Sequence, residues 1–399
     1  MKADPTGVLS GVHQLTGNQA CVEGALAAGC RFLGTYPIVP AVEICDRFLE
    51  RARSVKATFV QMEDEISALA CVLGAVWTGK RAMAATSGPG FSLMMEHVGL
   101  GVMLETPCVI VSVQHVGPGI GIPARPSQGD IMQARWGSHG DYELITLAPS
   151  SPQEMFDFTI KAFNLSEHYR VPVLVMSDAC VARLKEEVKI PPAEAIEIEP
   201  RRYYDGPPGK YLPFKRDADF VPRMVDIGQG HRFHVTGLTH DDRGYPIMFE
   251  ECQEYNVHPL VWKIRKFAHQ IVDFAETATG DAEVVIVSYG ATARAAAKAV
   301  AEARQAGLKV GGLKVNSVWP FPEKRLAELS KRVKAFVIAE MNFGQIAQEI
   351  ERCSYGNTNT FFVSYADKAV DQTQALHAAV NQAVKTSGVK HGVVEVAWA

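Results

Sequence analysis

The sequence has no CxxC pair. Its eight cysteines, Cys21, Cys30, Cys45, Cys71, Cys108, Cys180, Cys252 and Cys353, are widely scattered. That argues against a zinc site or an iron–sulfur cluster ligated by this chain alone. In a reducing compartment they read as core thiols rather than disulfides. There is no excess of one charge either: 40 basic and 44 acidic residues leave a formal net charge of −4. No nucleic-acid partner is expected from that balance, and no block of like charges forms a binding tail. No apolar run approaches the roughly 20 residues needed to span a bilayer. The stretch "MKADPTGVLSGVHQLTGNQA" lacks the apolar core of a signal peptide. A cytoplasmic protein with no membrane partner is expected.

What is present is ordinary for a globular chain: 399 residues, 47% hydrophobic and 21% charged. That length suits two or three domains with sizeable cores. Residues 17–190 alternate helix and strand patterns, with helices expected over 18–29, 41–53, 64–79, 92–104 and 152–169. The strands "RFLGTY", "TFVQME", "RAMAATS", "CVIVSVQ" and "PVLVMSD" are mostly continuously apolar. Such runs mark a parallel sheet covered on both faces, hence a doubly wound α/β domain. Residues 191–250 are rich in proline and charge and read as an extended connector. A long helix is expected within 255–276. A second α/β unit follows from about 282 to 395. It includes the strand "EVVIVSYG", an alanine-rich helix ended by Gly307, strands in "KVGGLKVNSVWP" and "AFVIAEM", and a helix over roughly 369–386. The expected divisions are 1–190, a connector and linking helix over 191–280, and 281–399.

Ligands of a doubly wound sheet bind outside the carboxyl ends of its strands. Four loops fall there: "YPIVP" (36–40), "EDE" (63–65), "SGPGF" (87–91) and "QHVGPGIGIPARPSQGD" (114–130). Pro37 and Pro40 stiffen the first into a corner. Glu63, Asp64 and Glu65 stand where a strand becomes a helix. Their plainest role is to stabilise a helix N-terminus against its dipole, and the sharper one is that one carboxylate enters the cleft. The small-residue helix behind them would allow close packing on another layer or subunit. The Gly88-Pro89-Gly90 turn is either a tight turn or a ligand loop, and without a following GK[ST] it is not a P-loop. The fourth loop, shaped yet able to move, would make a lid. His115 and Arg125 are its notable polar groups. A lone histidine is more often structural than catalytic, and neither Ser–His–Asp nor metal-ligand spacing surrounds it.

With these segments in place the chain resembles the α subunit of a 2-oxoacid:ferredoxin oxidoreductase. "YPIVPAVEI" is similar to the family's YPITPSTEI. "QMEDEISA" and "ATSGPGFSLMMEHVGLGVMLETPCVIVSVQ" match closely. "GPGIGIPARPSQGDIMQARWGSHGD" resembles GGPSTGLPT…QGDL…GxHG, and "HVTGLTHDDRGYP" resembles TGLEHDEYG. "VWPFPEKRLAEL" and "AEMNFGQIAQEI" match WPFP…E.N.GQ. These ordered matches cover nearly the whole chain. The resemblance implies a thiamine diphosphate pyrimidine-binding domain followed by a transketolase C-terminal-like domain. It implies oxidative decarboxylation of a 2-oxoacid with coenzyme A to an acyl-CoA and CO2. Electrons would leave through [4Fe–4S] clusters to ferredoxin or a similar acceptor. A β subunit would hold the diphosphate and Mg²⁺, and γ/δ or other cluster-bearing subunits would complete a hetero-oligomer. The lack here of a glycine–aspartate–asparagine metal motif fits that division. Glu65 aligns best with the family's thiamine glutamate, which bonds the pyrimidine ring nitrogen and favours the imino tautomer; Glu63 is the second assignment. Tyr36, Pro37, Gly88, Pro89 and Gly90 would join Glu65 in binding the cofactor.

The chain departs from the family around the expected substrate pocket. Val39 replaces a threonine, His115 an arginine, Gly119 and Ile120 a Ser–Thr pair, and Ala124 a threonine. Each exchange removes polarity and a directed hydrogen bond. A bulky apolar or aromatic 2-oxoacid, such as an arylglyoxylate, is therefore expected, with His115 or Arg125 meeting its carboxylate. A 2-oxoglutarate-type enzyme with a rearranged carboxylate site is the alternative. A non-oxidative decarboxylase or transketolase-like enzyme, and a non-catalytic assembly subunit, are the competing readings. Copurifying brown, cluster-bearing subunits would exclude the first of these, and thiamine diphosphate at the interface would exclude the second.

Overall fold

The continuous apolar runs fold as strands covered on both faces. The computed structural model describes residues 1–364, 373–386, 388 and 393–395. The first part runs β1 (Gly11–Thr16), α1 (Gly17–Ala27), β2 (Cys30–Thr35), α2 (Val42–Val55), β3 (Thr58–Gln61), α3 (Glu65–Trp77) and β4 (Arg81–Thr86). It continues through α4 (Gly88–Leu93), α5 (Met95–Met103), β5 (Val109–Val116), β6 (Ile122–Pro126), α6 (Gln133–Trp136) and β7 (Ile145–Leu147). Next come α7 (Pro152–Tyr169), β8 (Val173–Asp178), α8 (Ala179–Arg183) and β9 (Lys185–Ile190). The rest comprises α9 (Glu250–Arg265), α10 (Ala268–Ile271), β10 (Phe274–Thr277), β11 (Val284–Ser288), α11 (Thr292–Gln305), β12 (Val310–Val315) and β13 (Ser317–Trp319). It closes with α12 (Glu323–Ser330), β14 (Ala335–Glu340), α13 (Gln345–Ser354), β15 (Asn359–Ser364), α14 (Thr373–Lys385) and β16 (Val393–Glu395).

Two large sheets result. The first has the order β13-β7-β8-β5-β4-β2-β3, with β6 folded back on β5. From β7 to β3 its neighbours are parallel, so their carboxyl ends share one edge. The second has the order β10-β12-β11-β14-β15-β16 and is parallel except for edge strand β10. Every residue of β8, β11 and β14 is buried. Each fully covered valine, leucine or isoleucine there contributes about 1.5–3 kcal/mol relative to exposure. Local signals set the helix starts. Thr16 and Gln19 form a capping box, and Asp64, Ser151 and Asp178 cap α3, α7 and α8. All eight cysteines are free. No helix among the described residues is long and apolar enough to cross a membrane.

Two expectations need correction. The helix expected within 255–276 spans Glu250–Arg265, and Phe274–Thr277 is instead an edge strand, because pairing with β12 claims it. The segment "KVGGLKVNSVWP" splits at Asn316. β12 stays in the second sheet, whereas β13 pairs antiparallel with β7 and joins the first. The last helix is described from Thr373, and residues 369–372 of its expected span lie outside the described residues. Gly307 does follow α11, with φ +80°. The connector holds only short 3₁₀ turns and isolated bridges. Buried ion pairs pin its flanks: Glu105 meets Lys263 of α9 at 2.8 Å and Arg216 of the connector at 3.0 Å.

Candidate active site at the sheet edge

The proline corner follows β2 and is anchored from below the surface. Thr35 Oγ1 donates to the Ala85 carbonyl at 2.7 Å, and Asn18 Nδ2 donates to the Pro40 carbonyl at 3.0 Å. Pro40 is buried and Pro37 half-buried, while Tyr36 and Val39 are 40% and 48% exposed. The stiff corner therefore presents two apolar side chains at the edge.

The three acids after β3 have three different fates. Asp64 caps α3, its Oδ1 accepting from the Ser67 N–H at 2.7 Å. Glu63 is exposed and accepts from Ser67 Oγ at 2.9 Å. Glu65 is 4% exposed. Burial pushes its carboxyl above the ordinary range, against the pull of its own backbone N–H and with the help of the Asp64 charge. Among the described residues no cation or side-chain donor pairs with it. Its Oε1 lies over Gly90, where a Cβ would stand 2.1 Å from that oxygen and 2.3 Å from Thr86 Oγ1. Thr86 Oγ1 is itself buried without a partner.

The Gly88-Pro89-Gly90 turn thus makes room for side chains. A Cβ at Gly88 would lie 2.3 Å from His115 Cε1. Gly88 also takes φ +43°, a conformation that suits glycine. His115 is 3% exposed, with Nδ1 2.7 Å from Ser87 Oγ and Nε2 2.9 Å from the Ile120 carbonyl. A carbonyl only accepts, so Nε2 carries a hydrogen.

The fourth loop is a hairpin rather than a free lid. β5 extends through Val116, and β6 returns antiparallel along it. Gly121, at φ +52°, would place a Cβ 1.8 Å from the Val116 carbonyl, so the turn closes only with glycine there. Arg183 donates to the Ala124 and Pro123 carbonyls at 2.9 and 3.2 Å. Ile120 at the tip is 73% exposed, and Gly119 and Arg125 are exposed as well. The edge thus joins Glu65 to Gly90 and His115 to Gly88, whereas Arg125 sits out on β6, paired with no carboxylate among the described residues.

The residue-level reading missed Thr86, Ser87, Gln128 and Asp130. Gln128 carries the return from the hairpin to the second sheet. Its amide N–H and Oε1 pair with the Met341 carbonyl and N–H, both at 2.9 Å, and its Nε2 donates to the Tyr289 carbonyl at 3.0 Å. Asn342 Nδ2 donates to the Gln128 carbonyl at 2.8 Å. Asp130 follows, with its carboxyl raised to about 6 by burial, opposed by the nearby His115, and its Oδ2 unpartnered. The "QGD" and "EMN" matches hold these residues, but only their packing shows what they join. Among the described residues no group of three or more His, Cys, Asp or Glu could hold a metal ion.

Residues 23–256 match the family described as pyruvate flavodoxin/ferredoxin oxidoreductase, thiamine diphosphate-binding, and residues 282–378 match pyruvate:ferredoxin oxidoreductase core domain II. The chain is 50% identical to the 2-oxoglutarate synthase subunit KorA of Methanothermobacter marburgensis, over 86% of this chain and 91% of that protein. It is 36% identical to the ketoisovalerate oxidoreductase subunit VorB of Methanothermobacter thermautotrophicus, over 86% and 90%. Its fold is similar to the 2-oxoglutarate:ferredoxin oxidoreductase of Magnetococcus marinus, solved with 2-oxoglutarate, coenzyme A and succinyl-CoA bound. There the TM-score is 0.88 at 29% identity, covering 94% of this chain and 66% of that one. None of these three is named for an aromatic 2-oxoacid, so the bulky-substrate expectation finds no support in them. Sequence matches over both parts and the shared fold agree: this chain belongs to the thiamine diphosphate-binding pyruvate flavodoxin/ferredoxin oxidoreductase family, as an α subunit of a 2-oxoacid:ferredoxin oxidoreductase.

Proposed function

We propose that this chain is the α subunit of a 2-oxoglutarate:ferredoxin oxidoreductase, converting 2-oxoglutarate and coenzyme A to succinyl-CoA and CO2. The observation that carries the site is Glu65, a buried carboxyl to which no other side chain among the described residues donates, set against a glycine with no room for a Cβ. The substrate rests on the relatives named for 2-oxoglutarate.

The residues present fit the pyrimidine of thiamine diphosphate. Glu65 and the orphaned Thr86 hydroxyl supply polar atoms, and Gly90 lets both lie against the turn that opens α4. Thiamine diphosphate, when bound, supplies the carbanion chemistry that decarboxylating a 2-oxoacid requires. Glu65 is the catalytic residue: burial keeps its carboxyl ready to hold a proton against a ring nitrogen, and no other side chain among the described residues donates to it. The Pro37–Pro40 corner keeps Tyr36 and Val39 in place at the same edge, where small displacements cost rate. A β subunit carrying the diphosphate and Mg²⁺ would cover this edge, and γ/δ or other subunits with [4Fe–4S] clusters would pass electrons to ferredoxin. The assembly would work in the cytoplasm, as its free cysteines and lack of a spanning helix among the described residues favour.

Steady-state kinetics of the purified complex test the substrate. The highest kcat/KM is expected for 2-oxoglutarate, ahead of 2-ketoisovalerate, pyruvate and phenylglyoxylate. A preference for phenylglyoxylate would overturn the assignment.

A further inference from the structure

We infer that His115 is a positioning residue: it latches the β5–β6 hairpin tip to the turn that faces Glu65, and so sets where Ile120 stands over the substrate. The inference rests on the Glu65–Gly90 edge being the active site. Both ring nitrogens of His115 are engaged, one at Ser87 Oγ (2.7 Å) and one at the Ile120 carbonyl (2.9 Å). The ring is buried and packed on Gly88, so it has neither a free nitrogen nor room to swing toward a carboxylate. Ser87 Oγ also lies 2.5 Å from the Val113 carbonyl, and its single hydrogen serves either that carbonyl or His115 Nδ1, so the hydroxyl sits between the latch and the body of β5.

The chain of contacts is short. Glu65 touches Gly90, Gly88 touches His115, and His115 holds Ile120 by its backbone. The tip from Gly117 to Gly121 carries little besides Pro118 and the side chain of Ile120, which is 73% exposed. On the far side of the hairpin only Arg183, among the described residues, adds side-chain anchors, to residues 123 and 124. Thus one buried imidazole fixes the height of one exposed apolar side chain. A displaced tip would change the space beside the site and, with it, the length of 2-oxoacid side chain accepted.

The test compares wild type, His115→Gln, Ser87→Ala and Ile120→Ala in the assembled complex. Hydrogen–deuterium exchange of residues 117–124 reads the latch. The ratio of kcat/KM for 2-oxo-4-methylpentanoate to that for 2-oxoglutarate reads specificity. His115→Gln and Ser87→Ala are expected to speed exchange about ten-fold, as loss of a buried hydrogen bond implies. Ile120→Ala keeps its carbonyl and should exchange as wild type does. His115→Gln and Ile120→Ala should both raise the specificity ratio about five-fold or more, with the KM for coenzyme A unchanged. Wild-type exchange in both latch variants overturns the inference. So does loss of turnover on every 2-oxoacid with exchange unchanged, which would make His115 a direct ligand. An unaltered ratio in Ile120→Ala refutes the role in specificity. Glu65→Gln, assayed in parallel, separates the two levels: full turnover there removes the site reading, while exchange still decides the latch.

Discussion

Glu65 and Glu340 are both buried glutamates at the carboxyl edge of a parallel sheet, and the protein treats them oppositely. Glu340, at the end of β14, accepts from Tyr289 Oη at 3.2 Å and from the N–H groups of Ile346 and Ala347 at 3.1 and 3.0 Å. Glu65, at the start of α3, faces the space between Thr86 and Gly90 and receives nothing from another side chain among the described residues. Burial raises both carboxyls. A buried carboxyl with a full set of donors stabilises the join between elements, and one left without them is available to a ligand. Burial alone therefore marks neither; the missing partner marks Glu65.

Replacing each by glutamine should break the two apart. Glu65→Gln is expected to lower kcat of the complex by about 10²–10⁴-fold, the range of a lost acid–base group, with assembly intact. Turnover equal to wild type would remove Glu65 from the chemistry. Glu340→Gln should instead cost stability, about 1–3 kcal/mol, because its amide NH₂ would face the N–H of Ile346 or Ala347 in a fully buried site. Its readout is a lower Tm with kcat per folded complex retained, and a loss of kcat at unchanged Tm would erase the contrast.

The smallest expected effect concerns pH and sharpens the same contrast. The folded-state carboxyl of Glu65 lies above its unfolded value, so the charged form is the one disfavoured by folding. The penalty is absent below the unfolded value and complete above the raised folded one. Glu65→Gln should therefore raise Tm slightly at neutral pH, with the gain vanishing as the pH falls through that window. A gain that grows in acid would mean that the carboxylate stabilises the fold after all.

Much of this arrangement is legible in the residues. Continuous apolar runs such as "AFVIAE" can only be strands covered on both faces, and Asp64 followed by Ser67 announces a capped helix beginning at Glu65. The proline corner and the glycine turn announce themselves as breaks at strand ends. The hairpin was harder to read, because a stretch rich in glycine and proline fits a mobile loop as well as a tight return along β5. The crossing of β13 into the first sheet was hidden for a related reason: "KVNSVWP" mixes polar and apolar residues up to its proline, and nothing within it says that the chain changes sheets at Asn316.

The sequence by itself determined most of the parallel α/β elements, their order along the chain, and the edge where the strand-end breaks and the three acids collect. These follow from periodicity, caps and strand-end breaks, which are properties of neighbouring residues. Only the tertiary structure decided that Gly90 makes room for Glu65, that Gly88 makes room for His115, and that both nitrogens of His115 are already engaged. Those facts depend on atoms from separate strands and turns meeting within bonding distance. Whether a buried polar group keeps a free hand is settled by that meeting, not by its place in the chain.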